Sequence, residues 1–187
     1  MIVSAPPTSA PAELFTVGHS TRPIEAFLAL LVPNGIATLA DVRRFPGSRR
    51  HPQFGSDALA ASLATAGITY AHFPDLGGRR SPAPDSINTA WRHDAFRGYA
   101  DYMETPLFQS AIDRLLGLAP PIVVMCAEAV WWRCHRGLIA DYLTAMGLRV
   151  LHIGDGARTT VHTGTSAATI TAGALSYAAA QGTLSFD

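Results

Sequence analysis

The sequence predicts a three-layer α/β fold, with a mostly parallel sheet flanked by helices in a Rossmann-like or flavodoxin-like arrangement. Short apolar strands alternate with amphipathic helices along the chain, an order typical of parallel sheets joined by helical crossovers. The 187 residues have the usual length of one domain with a single core. We therefore expect one α/β domain over 14–165, preceded by a flexible segment at 1–13 and followed by an extension at 166–187.

The first half of the chain has a β-α-β-α-β pattern. The strands are runs of apolar and β-branched residues, and the helices repeat apolar residues at intervals of three and four. The predicted elements are a strand over 14–17, a helix over 23–31 with Thr21 as its N-cap, a strand over 38–42, a helix over 57–66 and a strand over 68–73. The segment 74–94 is rich in glycine and proline and is expected to be a functional loop.

The second half continues the alternation. Helices are predicted over 95–103 and 107–116, and the second opens with Thr105 and Pro106, a cap followed by a proline in the first turn. A strand ending at Cys126, a helix over 133–146 and a strand over 148–153 follow. The stretch 167–181 is rich in alanine and threonine, which leaves a helix or a poorly ordered extension open.

Composition and charge exclude several classes of protein. No apolar run approaches the roughly 20 residues that a membrane-spanning helix needs, and the N-terminus lacks the basic start and apolar core of a secretory signal. A cytoplasmic protein without a membrane partner is therefore expected. The formal net charge is zero, which disfavours extended binding along nucleic acid and leaves a local basic patch open.

Both cysteines lie in one short stretch of chain. Cys126 ends an apolar strand, and Cys134 is predicted to open the next helix. Ligands of α/β sheets bind at the carboxyl ends of strands, and helix N-termini favour anions there. A thiol in that position ionises more readily than free cysteine. Two cysteines at this spacing do not make a disulfide framework, so catalysis, redox chemistry or metal binding is expected of them.

Polar residues also follow the first two strands. His19 and Ser20 follow the first, as a base, an anion contact, a metal ligand or simple helix caps. Asp41 lies in an otherwise apolar strand, where an unpaired carboxylate is costly, and Arg43 is its natural partner. Because the carboxyl ends of parallel strands meet at one edge, these residues are expected to converge with Cys126.

Basic and aromatic residues add to this picture. Arg44 begins a basic loop that continues through Arg49 and Arg50 and suits an anionic substrate. Of the adjacent Trp131 and Trp132, one is expected to pack in the core and the other to wall the pocket or stack on a flat base. His152 and His162 are interpreted as packing or loop residues.

Several separated motifs can be considered together. They are Val17-Gly18-His19-Ser20, Asp41-Val42-Arg43, Leu76-Gly77-Gly78, Tyr102-Met103, Cys126-Ala127-Glu128, Cys134-His135-Arg136 and His152-Ile153. In this order and spacing they resemble the family known as domain of unknown function 488, over roughly residues 14–165. The resemblance implies the same α/β fold and supplies no reaction.

Three functions remain open from the residues. The first is a thiol-dependent enzyme on a small anionic substrate, nucleotide-like or derived from nucleic acid. Its catalytic candidates are Cys126, Glu128, Cys134 and His19, and its substrate-binding candidates are Ser20, Asp41, Arg43, Arg44, Trp132, His135 and Arg136.

The second is an enzyme with zinc or iron as cofactor, held by Cys126, Cys134 and His19 with His135 or Glu128 as further ligands. It ranks lower because the C-x₇-C spacing is not a usual zinc clip. Neighbouring helical residues lie about 100° apart, so only some of Cys134, His135 and Arg136 can face the cleft, which leaves the direction of His135 open. The third function is a non-catalytic module that binds nucleotide or nucleic acid.

Overall fold

The protein has a mostly parallel sheet covered by helices on both faces. A computed structural model describes residues 1–47 and 49–179. The strands are β1 Glu13–Gly18, β2 Thr38–Asp41, β3 Thr69–His72, β4 Ile122–Cys126, β5 Arg149–Ile153, β6 Thr159–Val161, β7 Thr169–Thr171 and β8 Ala174–Ser176. The helices are α1 Ile24–Leu31, α2 Ser56–Thr65, α3 Asp94–Tyr102, α4 Pro106–Leu116 and α5 Arg136–Ala145.

The order of strands in the main sheet is β3-β2-β4-β1-β5-β6, and β7 pairs with β8 separately. The first five strands are parallel, and β6 runs antiparallel to β5. The predicted three-layer α/β fold is thereby confirmed. Within 1–47 and 49–179, no helix is long and apolar enough to cross a bilayer.

Two apolar cores lie on opposite faces of the sheet. α1 and α2 pack on one face through residues such as Phe27 and Leu63, whereas α3, α4 and α5 pack on the other. Strand β4 is buried along its whole length, and its side chains alternate between the two cores. Because of this alternation, Cys126 belongs to the core beneath α5, the same core that contains Cys134.

The sequence predicted two helix starts wrongly. At α1, Pro23 takes the N-cap position without a side-chain hydrogen bond, so Thr21 does not cap the helix. At α5, residues Trp131–Arg133 form a separate 3-10 turn, and Cys134 follows it with extended backbone, φ −135° and ψ 146°. Helix α5 therefore begins at Arg136, two residues after the cysteine that was expected to open it. Thr105 caps α4 as predicted, accepting from the Phe108 N–H.

The C-terminal segment is a β-hairpin over 169–176, not the helix considered for 167–181; residues 180 and 181 lie outside the described part of the chain. β-branched residues in Thr169–Thr171 favour the extended backbone. The N-terminal segment pairs with this hairpin: Ile2 bridges to Ala174, and the Met1 amino group donates to the Leu175 carbonyl at 2.9 Å.

A buried carboxylate ties the hairpin to α5. Asp141 on α5 is fully buried and accepts hydrogen bonds from the Thr165 backbone N–H and hydroxyl, at 2.8 and 2.7 Å. It also accepts from the Tyr177 hydroxyl at 2.8 Å and from His162 Nε2 at 2.8 Å. Four donors compensate for the loss of water around this charge.

The network continues from the hairpin side into the sheet. His162 Nδ1 lies 2.8 Å from His152 Nε2, and His152 Nδ1 lies 2.6 Å from the Thr16 hydroxyl oxygen. The ring of Trp131 stacks on His152 with centroids 4.4 Å apart. His152 and His162 thus have the packing role expected from the sequence. Both rings contact Trp131.

This network predicts a loss of stability in acid. Burial, the neighbouring His162 and the nearby Arg136 lower the pKa of His152 from 6.5 to about 3. In the unfolded chain His152 binds a proton below about pH 6.5, whereas in the folded chain it binds one only near pH 3. The free energy of unfolding therefore falls as the pH drops from 6.5 toward 3. Between those limits we expect wild type to lose about 1 kcal/mol more per pH unit than His152→Gln. Urea unfolding across this range checks it, and equal slopes for the two proteins would contradict it.

Candidate functional site

The carboxyl ends of the central strands meet at one edge of the sheet. Gly18 at the end of β1 pairs with Cys126 at the end of β4, and Asp41 at the end of β2 pairs with Met125. The residues that follow these strands therefore lie side by side, as expected for a parallel sheet. The convergence of the first, second and fourth strands is confirmed.

A cavity of about 580 Å³ opens at this edge, a size typical of small-molecule sites. The ends of β2 and β4, the loop into α5 and the start of α3 form its walls. Cys126, Cys134 and His135 lie together in one part of the wall. Both thiols are free and buried, and His135 is partly exposed.

The two thiols and the imidazole form the cysteine-histidine cluster, Cys126, Cys134 and His135. Their ligand atoms all lie within 4.8 Å of one another. His135 Nδ1 lies 3.7 Å from Cys134 Sγ and 4.0 Å from Cys126 Sγ. The sequence left the direction of His135 open; its ring lies in the cavity wall beside both sulfurs, because Cys134 is extended and does not impose the 100° offset of neighbouring helical residues.

The ring of His135 is fixed from its other side. Its Nε2 lies 3.2 Å from the Val42 carbonyl oxygen, which only accepts, so Nε2 carries the proton. In the neutral ring, Nδ1 is then the nitrogen with a lone pair, and it faces both sulfurs. Gly78 makes room for this ring, since a Cβ at that position would lie 2.9 Å from Nδ1.

The two thiols differ in acidity. The pKa of Cys134 is lowered to about 7, chiefly because the thiolate accepts a hydrogen bond from Cys126 and also because Arg136 lies nearby. The pKa of Cys126 is raised, because its proton is used in that bond and because it is buried.

Arg136 stabilises the loop that contains Glu128 by donating hydrogen bonds to its backbone. Its buried guanidinium donates to the Glu128 carbonyl and, at 2.8 Å, to the Ala129 carbonyl. This loop passes so close to β1 that a Cβ on Gly18 would lie 1.8 Å from the Glu128 carbonyl oxygen. Arg136 does not line the cavity, whereas the exposed Glu128 does.

Asp41 and Arg43 pair as the sequence predicts. Arg43 Nε and Nη2 donate to the two carboxylate oxygens of Asp41 at 2.8 and 2.5 Å, and Nη2 also donates to the Phe54 carbonyl. The Tyr70 hydroxyl adds a bond to Asp41 at 2.9 Å. Asp41 is fully buried and does not reach the cavity, while Arg43 lines it.

His19 lies beside this ion pair and is not a member of the cysteine-histidine cluster. Its ring stacks on Phe54 at 4.1 Å, its Nδ1 donates to the Ser20 carbonyl, and its Nε2 lies 3.3 Å from Arg43 Nη1. Burial above all, together with the charge of Arg43, lowers the pKa of His19 to about 4. The Ser20 N–H donates to the Ala127 carbonyl. Neither His19 nor Ser20 lines the cavity.

The cavity wall contains residues that the sequence did not point to. Arg44 and Trp132, which were expected at the site, line the cavity. The residues not expected there are Phe45, His93, Phe96 and Arg133. Arg133 had a signal in its position beside the two tryptophans and Cys134. His93 and Phe96 had none, because only tertiary packing brings the start of α3 to this edge.

The fold and the site together define an α/β protein with a cysteine- and arginine-lined cavity at the carboxyl edge of its sheet. The chain belongs to the family described as Domain of unknown function DUF488, whose model matches residues 23–143, about two-thirds of the sequence. The matched part includes the Asp41 pair and the cysteine-histidine cluster, and it excludes His19, Ser20 and His152. Comparisons with curated proteins and with solved structures gave no match.

Proposed function

We propose that the protein is a metal-dependent enzyme that binds a zinc-type ion through Cys126, Cys134 and His135 and acts on an anionic substrate. The observation that carries the proposal is the cluster itself, in which two sulfurs and an unprotonated nitrogen face one another at the cavity wall. This ligand set differs from the one suggested by the sequence, because His135 takes the place of His19.

The distances suit a tetrahedral ion. Zinc bonds of about 2.3 Å to sulfur and about 2.0–2.1 Å to nitrogen place each sulfur about 3.6 Å from the nitrogen, and the two sulfurs about 3.8 Å apart, at tetrahedral angles. The sulfur-to-nitrogen distances are 3.7 and 4.0 Å. Small side-chain movements therefore bring all three ligands to bonding distance.

The orientation of His135 supports the same proposal. Metal-bound histidines usually donate their second ring N–H to a carbonyl or carboxylate, which fixes the tautomer. Here the Val42 carbonyl accepts from Nε2 and leaves Nδ1 for the ion. Two thiolates and an imidazole are soft or borderline ligands, which favour zinc or iron over magnesium.

Three protein ligands leave a fourth position for water or substrate, the arrangement of catalytic rather than structural zinc sites. Zinc lowers the pKa of bound water to about 7 and polarises carbonyl or phosphoryl oxygens. Glu128 on the same wall is our candidate for the group that takes the proton from that water and returns it to the leaving group. The reaction class is metal-assisted hydrolysis.

Zinc titration combined with alkylation tests the proposal. Chelator-treated protein is expected to take up one zinc ion per chain, and zinc is expected to protect both cysteines from iodoacetamide, as read by mass spectrometry. Zinc-loaded protein should hydrolyse p-nitrophenyl phosphate, and Glu128→Gln should lower kcat by about 10²–10⁴. Absence of zinc uptake, or alkylation rates that zinc does not change, would contradict the proposal.

A metal-free cysteine enzyme is the second candidate. One observation favours it: Cys134 Sγ lies 3.7 Å from His135 Nδ1, the geometry of a nucleophile beside a base. Under this alternative, Cys134 is alkylated at the same rate with and without zinc, and His135→Ala slows that alkylation. The titration described above therefore separates the two enzymes.

A further inference from the structure

We infer that the cavity binds a nucleotide, with its base stacked on Trp132 and its phosphate monoester held by Arg79 and Arg133 next to the cysteine-histidine cluster. This inference rests on the proposed function, because it names the substrate class of the same site. Charge, exposed aromatic surface, backbone conformation and cavity size support it.

The cavity concentrates positive charge in a chain whose formal net charge is zero. Arg44, Arg79 and Arg133 line it, and none of them forms an ion pair with any described residue. The charge of Arg43 is matched by Asp41, and Glu128 is the lone carboxylate among the described residues of the wall. A phosphate monoester carries close to two negative charges and matches guanidinium groups in pairs of hydrogen bonds.

Aromatic side chains are exposed in the same cavity. Phe45 and Trp132 line it with 68% and 56% of their surfaces exposed, which is unusual for such large apolar groups. A planar base would bury these faces and stack on an indole in a contact that tolerates any base.

Trp132 has one aromatic contact that limits its movement before any ligand arrives. Trp131 packs edge-on against it with ring centroids 5.5 Å apart, and Trp131 itself stacks on His152. His152 belongs to the buried network that ends at Asp141. A stacking surface whose movement is already limited by such a contact loses less freedom when it binds, which increases affinity.

The loop that contains Arg79 has an unusual backbone conformation and a hydrogen bond to the cavity wall. Arg79 has φ of +63°, a left-handed conformation that residues other than glycine adopt rarely, and such conformations concentrate at functional sites. Its carbonyl accepts a hydrogen bond from Arg44 Nη1 at 3.4 Å, so the loop is tied to another arginine of the wall. The volume of about 580 Å³ suits a single nucleotide.

Isothermal titration of the zinc-loaded Glu128→Gln variant, chosen because slow hydrolysis leaves the ligand intact, with adenosine 5′-monophosphate, adenosine and ribose 5-phosphate tests the inference. Adenosine 5′-monophosphate is expected to bind at least about tenfold tighter than either fragment. Trp132→Ala should remove about tenfold of that affinity and leave ribose 5-phosphate binding unchanged. Arg79→Gln and Arg133→Gln should weaken the nucleotide and not adenosine. Arg149→Gln, at the opposite edge of the sheet, is the charge-matched control and should change nothing.

A 5′-phosphorylated single-stranded hexanucleotide separates two sources of the same chemistry. Tighter binding than the mononucleotide supports a nucleic-acid end, and equal or weaker binding supports a free nucleotide. Adenosine binding as tightly as its monophosphate, or a Trp132→Ala variant that binds like wild type, would overturn the inference. If the chain takes up no zinc, the same titration is made on metal-free protein, and nucleotide binding there refutes only the metal proposal. Zinc uptake without nucleotide binding refutes only the nucleotide.

Discussion

Replacing Asp41 by asparagine is expected to lower the free energy of unfolding by about 3–5 kcal/mol. The substitution keeps the shape of the side chain but leaves Arg43, only 8% exposed, without its counter-charge. It also weakens the bonds to the Arg43 guanidinium and the Tyr70 hydroxyl. A buried ion without a partner is far more costly than a missing surface pair.

Urea unfolding of the variant at neutral pH measures this loss. The matched control is Asp155→Asn, which breaks a pair of similar length, 2.6 Å, to Arg22 on the surface, where Asp155 is 91% exposed. We expect that control to lose less than about 1 kcal/mol. If Asp41→Asn is no more destabilised than Asp155→Asn, the buried pair does not support this edge of the sheet.

Cys134→Ser and His135→Ala are expected to reduce zinc affinity by more than about 100-fold. Loss of a group that merely orients a ligand reduces metal affinity about 10–100-fold, and these substitutions remove the ligands themselves. A serine hydroxyl is a poor substitute, because thiolate softness accounts for much of the preference for zinc. Cys126→Ser is expected to behave like Cys134→Ser, since both sulfurs face the same nitrogen.

His93→Ala is the matched control for these variants. His93 lines the same cavity but is not a member of the cysteine-histidine cluster, so its loss should leave zinc affinity within about twofold of wild type. Competition against a chromophoric chelator measures all four affinities, and thermal melting shows whether each variant is folded. Folded Cys134→Ser or His135→Ala protein that keeps wild-type affinity would refute the assigned ligands.

The order of the elements was predictable because the patterns are local. Apolar β-branched runs mark β1, β2 and β4, and Thr105 with Pro106 marks the start of α4, where the hydrogen bonds of one turn decide the outcome. The hairpin at 169–176 was missed because its extended form depends on contacts with residues 1–3 and on the distant Asp141. Composition alone left a helix or a poorly ordered extension open there.

The meeting of the strand ends was also predictable, since parallel strands place their carboxyl ends at one edge. The position of His135, rather than His19, beside the two sulfurs was not. It depends on a 3-10 turn at Trp131–Arg133 that delays α5 and turns the His135 ring toward the sulfurs. The contribution of α3 through His93 and Phe96 likewise depends on tertiary packing.

X-ray absorption at the zinc edge of the loaded protein tests the central claim most directly. Our account predicts two sulfur neighbours at about 2.3 Å and one histidine nitrogen at about 2.0–2.1 Å, with one light atom completing four-coordination. The sulfur count should fall to one in Cys126→Ser. A shell of oxygen and nitrogen without sulfur would show that zinc binds elsewhere and would contradict the assignment of Cys126, Cys134 and His135 as a metal site.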